Sequence, residues 1–384
     1  MRIAFDAKRA LLNNTGLGNY SRRVIDELSE SAPDNEYILY TPRAGNEAMK
    51  RLGQLASRSN VKVSLPSGTI WRSMSGLWRI GPGLTSQLKK DKIDLYHGLS
   101  NELPLDINRA GIPSVVTIHD VIFRRHPENY KPIDRAIYNY KFRKAAENAT
   151  RVIAISRRTR DDLMELYGIS PDKIDVIYQS CHPSFSRKVE EAEIEALRKR
   201  LNLPERYIAM VGTLEPRKNQ ILAVKALPQI DPEVHLVIAG RSRRDYGAAI
   251  LHEADRLNVR DRVHLIPGVP FEDLPAMYHG AELTAYPSRY EGFGLPVVEA
   301  ISAGTPVIAA TGSCLEEAGG EGGVYVHPDD ADAFAREANR LLESAGLRAS
   351  MVAAGQEHIR SIMSVSMADA VLDTYRKAIR AFEG

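Results

Sequence analysis

Short apolar runs alternate along the chain with longer segments of mixed polarity. Residues 207–211 and 283–286 are apolar at nearly every position, as in strands of a parallel sheet that is covered on both faces. Segments such as 131–148 have the length of helices. The pattern predicts an α/β protein with mostly parallel sheets. The predicted strands are residues 2–6, 36–41, 93–97, 114–118, 151–155, 173–178, 207–211, 234–239, 262–266, 283–286 and 307–310.

The chain has 384 residues, of which 43% are hydrophobic, and this favours two domains with cores of their own. Residues 1–185 are predicted to form the first domain, because residues 181–185 contain Pro183 and have the composition of a linker. Residues 186–363 form the second domain. A final segment, 364–384, contains an amphipathic helix whose partner is not indicated by its periodicity.

The most informative stretch is 288–309, which passes from a strand through a glycine-rich loop into a helix. Gly292 and Gly294 permit a tight turn, and Pro296 suits the first turn of a helix. This places Glu291 in the loop and Glu299 about one turn into the helix. A helix N-terminus favours a diphosphate, and a carboxylate such as Glu299 can accept both hydroxyl protons of a ribose. Two incidental surface glutamates are the alternative.

A second candidate segment, residues 212–219, follows the predicted strand 207–211. Its adjacent cations, Arg217 and Lys218, can neutralise a diphosphate without a metal ion. Taken alone, the same pair would be better explained as a solvated turn.

In the first half, His119 follows the strand 114–118, and the carboxyl ends of such strands line ligand crevices. The turn from Thr15 to Gly18, within a polar loop over residues 7–19, can present backbone N–H groups to a phosphate or sugar. His97 is the last residue of the predicted strand 93–97, and a structural role is open for both histidines.

Taken together, these motifs resemble the retaining, GT-B-fold glycosyltransferases of family 4. The matching segments are Glu291–Pro296 with Glu299-Ala300, Gly304-Thr-Pro-Val-Ile308, residues 212–219, Thr117-Ile-His-Asp120 and Gly16-Leu-Gly18. The resemblance covers essentially the whole chain and is strongest to the bacterial branch that includes O-antigen mannosyltransferases. It implies two Rossmann-like domains facing a cleft, with the C-terminal helix crossing back to the first domain.

The resemblance also implies roles for individual residues. His119 would contact the transferred sugar, Arg217 and Lys218 would stabilise the leaving diphosphate, Glu291 would hold sugar hydroxyls, and Glu299 would hold the ribose. Many family members carry Arg where this chain has Thr213, so one phosphate contact is in doubt. The remaining expected donor-binding residues are Gly16, Gly18, Gly212, Gly268, Val269, Gly292, Phe293, Gly294 and Leu295.

The predicted reaction is transfer of a sugar from a nucleotide donor to a glycan or a polyprenyl-diphosphate-linked acceptor in surface polysaccharide synthesis. The favoured donor is GDP-mannose, with UDP-sugars as the alternative. A sugar-nucleotide epimerase of the same fold and a lectin-like binding module remain open. No cofactor or metal is expected, because the one D-x-D sequence, Asp330 to Asp332, is better explained as a helix cap.

Charge is unevenly divided, with 28 Lys and Arg against 20 Asp and Glu in residues 1–185 and a net charge of +2 for the whole chain. Residues 41–92 hold ten of these cations, two acids and both tryptophans, Trp71 and Trp78. Basic residues such as Arg72, Arg79, Lys89 and Lys90 beside Trp suit an anionic membrane surface, and a helix packed by its Trp residues is the alternative.

Nucleic acid is disfavoured as a partner, because the overall charge is low and aromatic residues are few. Two cysteines, no apparent signal peptide and no long apolar run favour a cytoplasmic protein. Association with the inner face of the plasma membrane would follow if the basic stretch docks there.

Overall fold

The computed structural model describes residues 1–13 and 16–384, which form two compact units. The first unit contains Met1–Gln179 and Val365–Gly384, and the second contains Ser180–Ser364. The predicted linker at 181–185 belongs to the second unit, because Phe185 is fully buried there against Phe271 and Tyr278. Complete burial of such a side chain contributes about 1.5–3 kcal/mol.

The first unit is built on a seven-stranded sheet in which all neighbouring strands are parallel, in the order β3-β2-β1-β4-β5-β6-β7. The sequence did not predict β3, because this edge strand has one buried residue and no apolar run. The strands are β1 (Arg2–Asp6), β2 (Glu36–Tyr40), β3 (Val61–Ser64), β4 (Leu95–Gly98), β5 (Ser114–Ile118), β6 (Arg151–Ala154) and β7 (Ile174–Val176).

Helices cover both faces of this sheet, so that its inner strands β2, β1, β4, β5 and β6 are almost completely buried. On α2, for example, Tyr20, Val24 and Leu28 form one buried face. The helices of the first unit, apart from the last helix of the chain, are α1 (Lys8–Leu12), α2 (Gly16–Ser31), α3 (Asn46–Leu52), α4 (Thr69–Ser73), α5 (Ser75–Ile80), α6 (Pro82–Lys90), α7 (Ile122–Arg125), α8 (Pro132–Asn148) and α9 (Arg157–Tyr167).

The second unit has a six-stranded parallel sheet in the order β10-β9-β8-β11-β12-β13. Its strands are β8 (Tyr207–Val211), β9 (His235–Ala239), β10 (Val263–Ile266), β11 (Leu283–Tyr286), β12 (Val307–Ala310) and β13 (Gly323–Val326). Its helices are α10 (Glu191–Leu201), α11 (Gln220–Ala226), α12 (Tyr246–Arg256), α13 (Leu274–His279), α14 (Leu295–Ser302), α15 (Leu315–Gly319), α16 (Ala331–Leu342) and α17 (Ala345–Ile362).

The last helix, α18 (Met367–Glu383), returns to the first unit as predicted. Its buried face includes Val371, Tyr375 and Ala378, which belong to the same core as α2 and β1. Lys377 also pairs with Asp175, with 3.0 Å between Nζ and Oδ1.

Both tryptophans pack on the core of the first unit, which contradicts the prediction that they face a membrane. Trp78 is fully buried, and its indole N–H donates to Oε1 of Gln87 at 3.2 Å. Trp71 is half-buried against the same core. Arg79 is also largely buried, with 10% of its side chain exposed, because it pairs with Asp6. Of the four basic residues expected at a membrane, Arg79 is therefore excluded, whereas Arg72, Lys89 and Lys90 are exposed.

Within the described residues, no helix combines the length and the apolar composition needed to cross a membrane. Both sheets instead share the arrangement of an open α/β sheet, in which the strand order reverses at one place. The reversal lies between β1 and β4 in the first unit and between β8 and β11 in the second. Ligands of open α/β sheets bind outside the carboxyl ends of strands at such points.

Candidate functional site

The reversal point of the second unit is formed by the segments that follow β8 and β11. Leu283 of β11 lies beside Ile208 of β8, so the carboxyl ends of both strands reach the same edge. The β8 segment contains a single 3₁₀ turn, Pro216–Lys218, and Asn219 then adopts a left-handed conformation with φ of 58°. This turn directs Arg217 and Lys218 to the β11 side.

Glu291, which follows β11, forms ion pairs with both cations. Its Oε1 lies 2.7 Å from an Arg217 guanidinium nitrogen and 2.6 Å from Nζ of Lys218. The hydroxyl of Ser288 donates to the same carboxylate, and Lys218 also contacts the hydroxyl of Tyr286. Glu291 is 8% exposed, so these contacts replace the water that an ionised carboxylate would otherwise hold.

Electrostatics fixes the charge of this cluster. Burial alone would raise the pKa of Glu291, but Lys218 and Arg217 lower it to about 2. Burial lowers the pKa of Lys218, and the attraction of Glu291 opposes that effect. Glu291 is therefore ionised at neutral pH and neutralises part of the cationic charge that the sequence suggested for a diphosphate.

Glu215 extends the cluster on its other side. One carboxylate oxygen lies 2.7 Å from Arg217, and the other lies 3.1 Å from Arg243, which follows β9. Arg217 also donates to the backbone carbonyl of Tyr290 at 2.6 Å. Arg217 is thus held on two sides, and its guanidinium has little freedom to rotate away from the strand ends.

The loop from Glu291 to Gly294 leads directly into α14. Gly294 adopts a φ of 101°, and a Cβ at this position would lie 2.6 Å from Cδ2 of Leu315, so that only glycine fits. Gly292 and Phe293 are buried, Leu295 is half-buried, and Pro296 occupies the first turn as predicted. The positive end of α14 therefore points to the strand edge that carries Lys218.

Glu299 lies about one turn into α14 and is half-buried. Burial raises its pKa to about 7, and a 3.4 Å hydrogen bond from the Tyr278 hydroxyl opposes that shift. A carboxylate with so few partners retains acceptor capacity for two hydroxyl groups.

Other expected donor-binding residues lie at the ends of β8 and β10. Thr213 is exposed beside Gly212 at the end of β8. Gly268 and Val269 follow β10, which lies two strands from β8. Gly268 is exposed, and Val269 packs partly on the core below.

Three contributors to the cluster were not identified from the sequence: Glu215, Tyr286 and Ser288. Tyr286 ends an apolar strand and reads as a core residue. A weak signal existed for the other two, because a glutamate two residues before Arg217 and a serine three residues before Glu291 lie within reach of them.

In the first unit, His119 lies just beyond β5 and is 4% exposed. Its Nε2 lies 2.9 Å from the carbonyl oxygen of Leu99, and its Nδ1 lies 3.3 Å from the side-chain nitrogen of Gln179. The ring of Tyr20 packs edge-on at a centroid distance of 4.6 Å. Burial lowers the pKa of His119 to about 4, so the imidazole is neutral at physiological pH.

His97 has a structural environment. Its Nδ1 lies 2.7 Å from the hydroxyl of Tyr375 on α18, and its Nε2 lies 2.9 Å from the hydroxyl of Thr117. The residue is completely buried, which lowers its pKa to about 3. His97 therefore ties the returning helix to the sheet.

The Gly16–Gly18 segment corrects the predicted loop over residues 7–19. Lys8–Leu12 form α1, and Gly16 and Gly18 lie in the first turn of α2. A Cβ on Gly18 would lie 2.1 Å from the backbone oxygen of Asn13, so close packing of the two segments requires glycine there. Thr15, the start of the expected motif, lies outside the described residues.

No group of three or more His, Cys, Asp or Glu side chains suited to a metal ion occurs in residues 1–13 and 16–384. The D-x-D sequence is a helix cap as predicted, since Asp330 accepts from the backbone N–H of Ala333 at 2.8 Å at the start of α16.

Two family models match consecutive parts of the chain. The model described as Glycosyltransferase Family 4 matches residues 15–184, and the model described as Glycosyl transferases group 1 matches residues 193–358. Each range lies almost entirely within one structural unit.

Two curated relatives and one solved structure support the same grouping. The O-antigen chain mannosyltransferase B of Escherichia coli is 27% identical over 92% of this chain and 94% of its own length. The D-inositol 3-phosphate glycosyltransferase of Salinispora arenicola is 31% identical over 76% of this chain and 70% of its own length. The crystal structure of Anabaena HepE in complex with UDP and glucose aligns with a TM-score of 0.74 at 20% identity, covering 98% of this chain and 99% of HepE.

Proposed function

This chain belongs to the group 1, family 4 glycosyltransferases of GT-B type, and from that premise we propose that it transfers a hexose with retention of configuration. The proposed donor is GDP-mannose. The proposed acceptor is a glycan or a polyprenyl-diphosphate-linked glycan. The name of the E. coli relative, an O-antigen chain mannosyltransferase, supports mannose as the sugar and surface polysaccharide synthesis as the process.

The observation that carries this proposal is the cluster of Arg217, Lys218 and Glu291 at the reversal point of the second sheet. Transfer of a sugar leaves negative charge on a nucleoside diphosphate. A buried guanidinium and ammonium, both already oriented, stabilise that charge without reorganising during the reaction. Glu291 orients both cations, and we assign its carboxylate to the sugar hydroxyls.

Glu299 and the positive end of α14 support the assignment of the second unit to the donor. A diphosphate beside the helix start would leave the ribose near Glu299, whose carboxylate can accept two hydroxyl protons. His119 is kept neutral by burial, and its Nε2 donates to the carbonyl of Leu99. Its Nδ1 can accept a hydrogen bond from an uncharged sugar hydroxyl in place of the longer contact with Gln179.

The donor base and sugar are tested by thermal unfolding with a panel of GDP- and UDP-sugars. A ligand at about 100 times its dissociation constant adds about 2.7 kcal/mol of stability. We expect GDP-mannose to give the largest shift. UDP-sugars are the second candidate because HepE was crystallised with UDP, and a larger shift with any of them would replace GDP-mannose.

Retention and transfer are tested together by NMR of the product formed from an α-linked donor. An α-linked product supports retention, and a β-linked product contradicts it. Incubation with the donor alone separates the reaction from epimerisation, because an epimerase would change the donor sugar without any acceptor.

We further propose catalysis without a metal ion, because Arg217 and Lys218 supply the charge that a divalent cation would provide. Activity should therefore persist in EDTA. Complete loss on chelation, with recovery on adding Mg²⁺ or Mn²⁺, would contradict this proposal.

Docking on an anionic membrane surface is the last part of the proposed function. Arg72, Lys89 and Lys90 are exposed in the first unit, and each basic group near such a surface contributes about 1 kcal/mol. Co-sedimentation with anionic vesicles should decrease at high salt and after replacing these three residues with Ser. Equal binding to neutral vesicles would contradict docking through charge.

A further inference from the structure

An apolar groove of about 340 Å³ opens on the first unit, between α8 and the segments that precede β5. One wall is the face of α8 that carries Ala136, Ile137 and Tyr140. The opposite wall is Ile80, Leu103 and Leu105. The opposite wall is fixed by the backbone, since the N–H of Leu105 donates to the carbonyl of Ile80 at 3.0 Å.

Several groove residues are exposed although they are apolar. The exposed fraction is 42% for Leu105, 46% for Ile137 and 55% for Tyr140. Leaving such side chains in water forgoes about 25 cal/mol for each Å² that could be buried. A contiguous apolar surface of this kind marks a site for an apolar ligand or partner.

The inner end of the groove is ionic. Lys141 and Glu102 line it, with 3.5 Å between Nζ and Oε1. Glu102 also pairs with Arg79, which pairs with Asp6 at 2.6 Å. Asp6 is the last residue of β1 and Glu102 follows β4, so this end of the groove lies at the reversal point of the first sheet.

Two further cations continue from this ionic end. Lys8 interacts electrostatically with Arg79, Glu102 and Arg9, and Arg9 is close enough to His119 to contribute to its lowered pKa. Among the described residues, neither Lys8 nor Arg9 forms an ion pair with a carboxylate. Four cations (Arg79, Lys141, Lys8, Arg9) against two carboxylates (Asp6, Glu102) leave a net charge of +2.

An apolar groove that leads to excess positive charge is complementary to an amphiphile whose apolar chain ends in a phosphate. Contact with a bilayer surface would not explain the positive charge at the inner end of the groove. Binding of a helix from a partner protein would not explain why this positive charge continues towards His119. The groove and the cations form one path from the apolar surface to the strand ends, and this favours a single long ligand.

We propose that the groove binds the hydrocarbon chain of a lipid-phosphate acceptor, with its phosphate or diphosphate beside Lys141 and Lys8 and its sugar directed to His119. The proposal rests on the proposed function, since it assigns the acceptor class of the same enzyme. It differs from membrane docking, because a single chain enters a defined groove.

The test uses farnesyl phosphate below its micellar concentration as the probe, with binding measured by isothermal titration calorimetry on the full chain. Ala136→Trp fills the groove from an exposed helix position. Ile133→Trp is the matched control, because Ile133 is 74% exposed on the same helix and does not line the groove. Ile137→Ser is a second groove variant, and thermal unfolding confirms that each variant is folded.

We expect wild type and Ile133→Trp to bind with similar affinity, and Ala136→Trp and Ile137→Ser to bind at least about tenfold more weakly. Lys8→Ala should also weaken binding, and inorganic phosphate at the same concentration should not displace the probe. No binding by wild type would overturn the proposal, as would displacement by inorganic phosphate, which would indicate a site for free phosphate.

Vesicle co-sedimentation separates the groove from a bilayer surface. If Ala136→Trp binds the probe like wild type and alters only vesicle binding, the surface serves the bilayer and the proposal is wrong. The proposed function is checked independently by donor-induced thermal shifts and by transfer to a lipid-free glycan. Failure of these measurements with intact probe binding would contradict the transferase assignment and leave the lipid site standing.

Discussion

The cluster of Arg217, Lys218 and Glu291 in the second unit and the two buried histidines of the first unit have different chemistry. In the second unit, Arg217, Lys218 and Glu291 are ionised side chains that are mostly buried and depend on one another. In the first unit, the ion pairs of Arg79 with Asp6 and Glu102 lie beside the end of β1. At the ends of β4 and β5, by contrast, His97 and His119 are buried as neutral rings whose partners are hydroxyl, amide and carbonyl groups.

The two sets of residues differ in the energetic cost of losing one member. A buried charge is stable only while its partner is present, so loss of one member of the second unit's cluster leaves an uncompensated charge. Loss of a neutral imidazole leaves only unpaired polar groups, which cost less. The cluster of the second unit is therefore suited to charge that changes when a diphosphate binds or leaves, and the two histidines of the first unit are suited to uncharged hydroxyl groups.

The largest effect is expected for Glu291→Ala, because it leaves Arg217 and Lys218 without their shared partner. Breaking a buried pair costs about 3–5 kcal/mol, and we expect that loss in the free energy of unfolding measured by urea denaturation. Transfer activity should fall by about 10²–10³-fold.

The control is Glu321→Gln, which changes an exposed carboxylate in the same unit. If Glu291→Ala were as stable as this control, the cluster would not be held together by buried charge, and the contrast between the cluster and the two histidines would fail.

The next effect concerns Lys218→Ala. A hydrogen bond to a charged group is worth about 1.5–3 kcal/mol, so kcat/KM should fall about 10–150-fold. Both donor affinity and kcat should decrease, because diphosphate charge is present in the ground state and increases in the transition state.

Lys225→Ala, an exposed lysine on α11, is the matched control for this variant. A change in donor affinity with unchanged kcat would show that Lys218 binds the donor without stabilising the transition state.

Comparison of the two histidines tests the neutral side of this contrast. His97→Ala leaves the hydroxyls of Tyr375 and Thr117 unpaired, so the free energy of unfolding should fall by about 1–3 kcal/mol, with donor affinity unchanged. His119→Ala should instead lower kcat/KM for transfer. Loss of donor affinity in His97→Ala, measured by the donor-induced thermal shift, would assign that residue to the site.

These expectations separate what the sequence could predict from what it could not. Apolar runs predicted eleven strands in nearly the observed positions, because a parallel strand buried on both faces has a continuous apolar sequence. The edge strands Val61–Ser64 and Gly323–Val326 were missed because each has a single fully buried residue. The family motifs identified Arg217, Lys218 and Glu291 but not their mutual contacts.

Long-range partners explain the remaining differences. Glu215 shares Arg217 with Glu291, and Arg79 is buried because Asp6 and Glu102 lie beside it. Such pairs join residues of separate segments, and periodicity does not report on them. Trp78 has the local sequence of an interfacial residue and is nevertheless core, because Gln87 satisfies its indole N–H.

The smallest expected effect concerns Glu299. This residue belongs to the second unit, but burial shifts it towards its neutral form, as it does the two histidines. Burial raises its pKa to about 7, whereas the unfolded value is near 4.5. Between these values the folded state holds a proton that the unfolded state has lost, so stability decreases as pH rises through this window. Glu299→Gln removes this loss, and its stability relative to wild type should increase from pH 5 to pH 8 by about 1 kcal/mol, since the side chain is only half-buried.

The affinity of wild type for the donor should instead increase with pH, because the ionised carboxylate of Glu299 accepts ribose hydroxyl protons better than the protonated form. The dissociation constant for the donor, measured by calorimetry at pH 6 and pH 8, should therefore decrease with pH in wild type and in Glu321→Gln but not in Glu299→Gln. If wild type and Glu299→Gln followed the same pH dependence, Glu299 would titrate outside this range and its carboxylate would not be the group that holds the ribose.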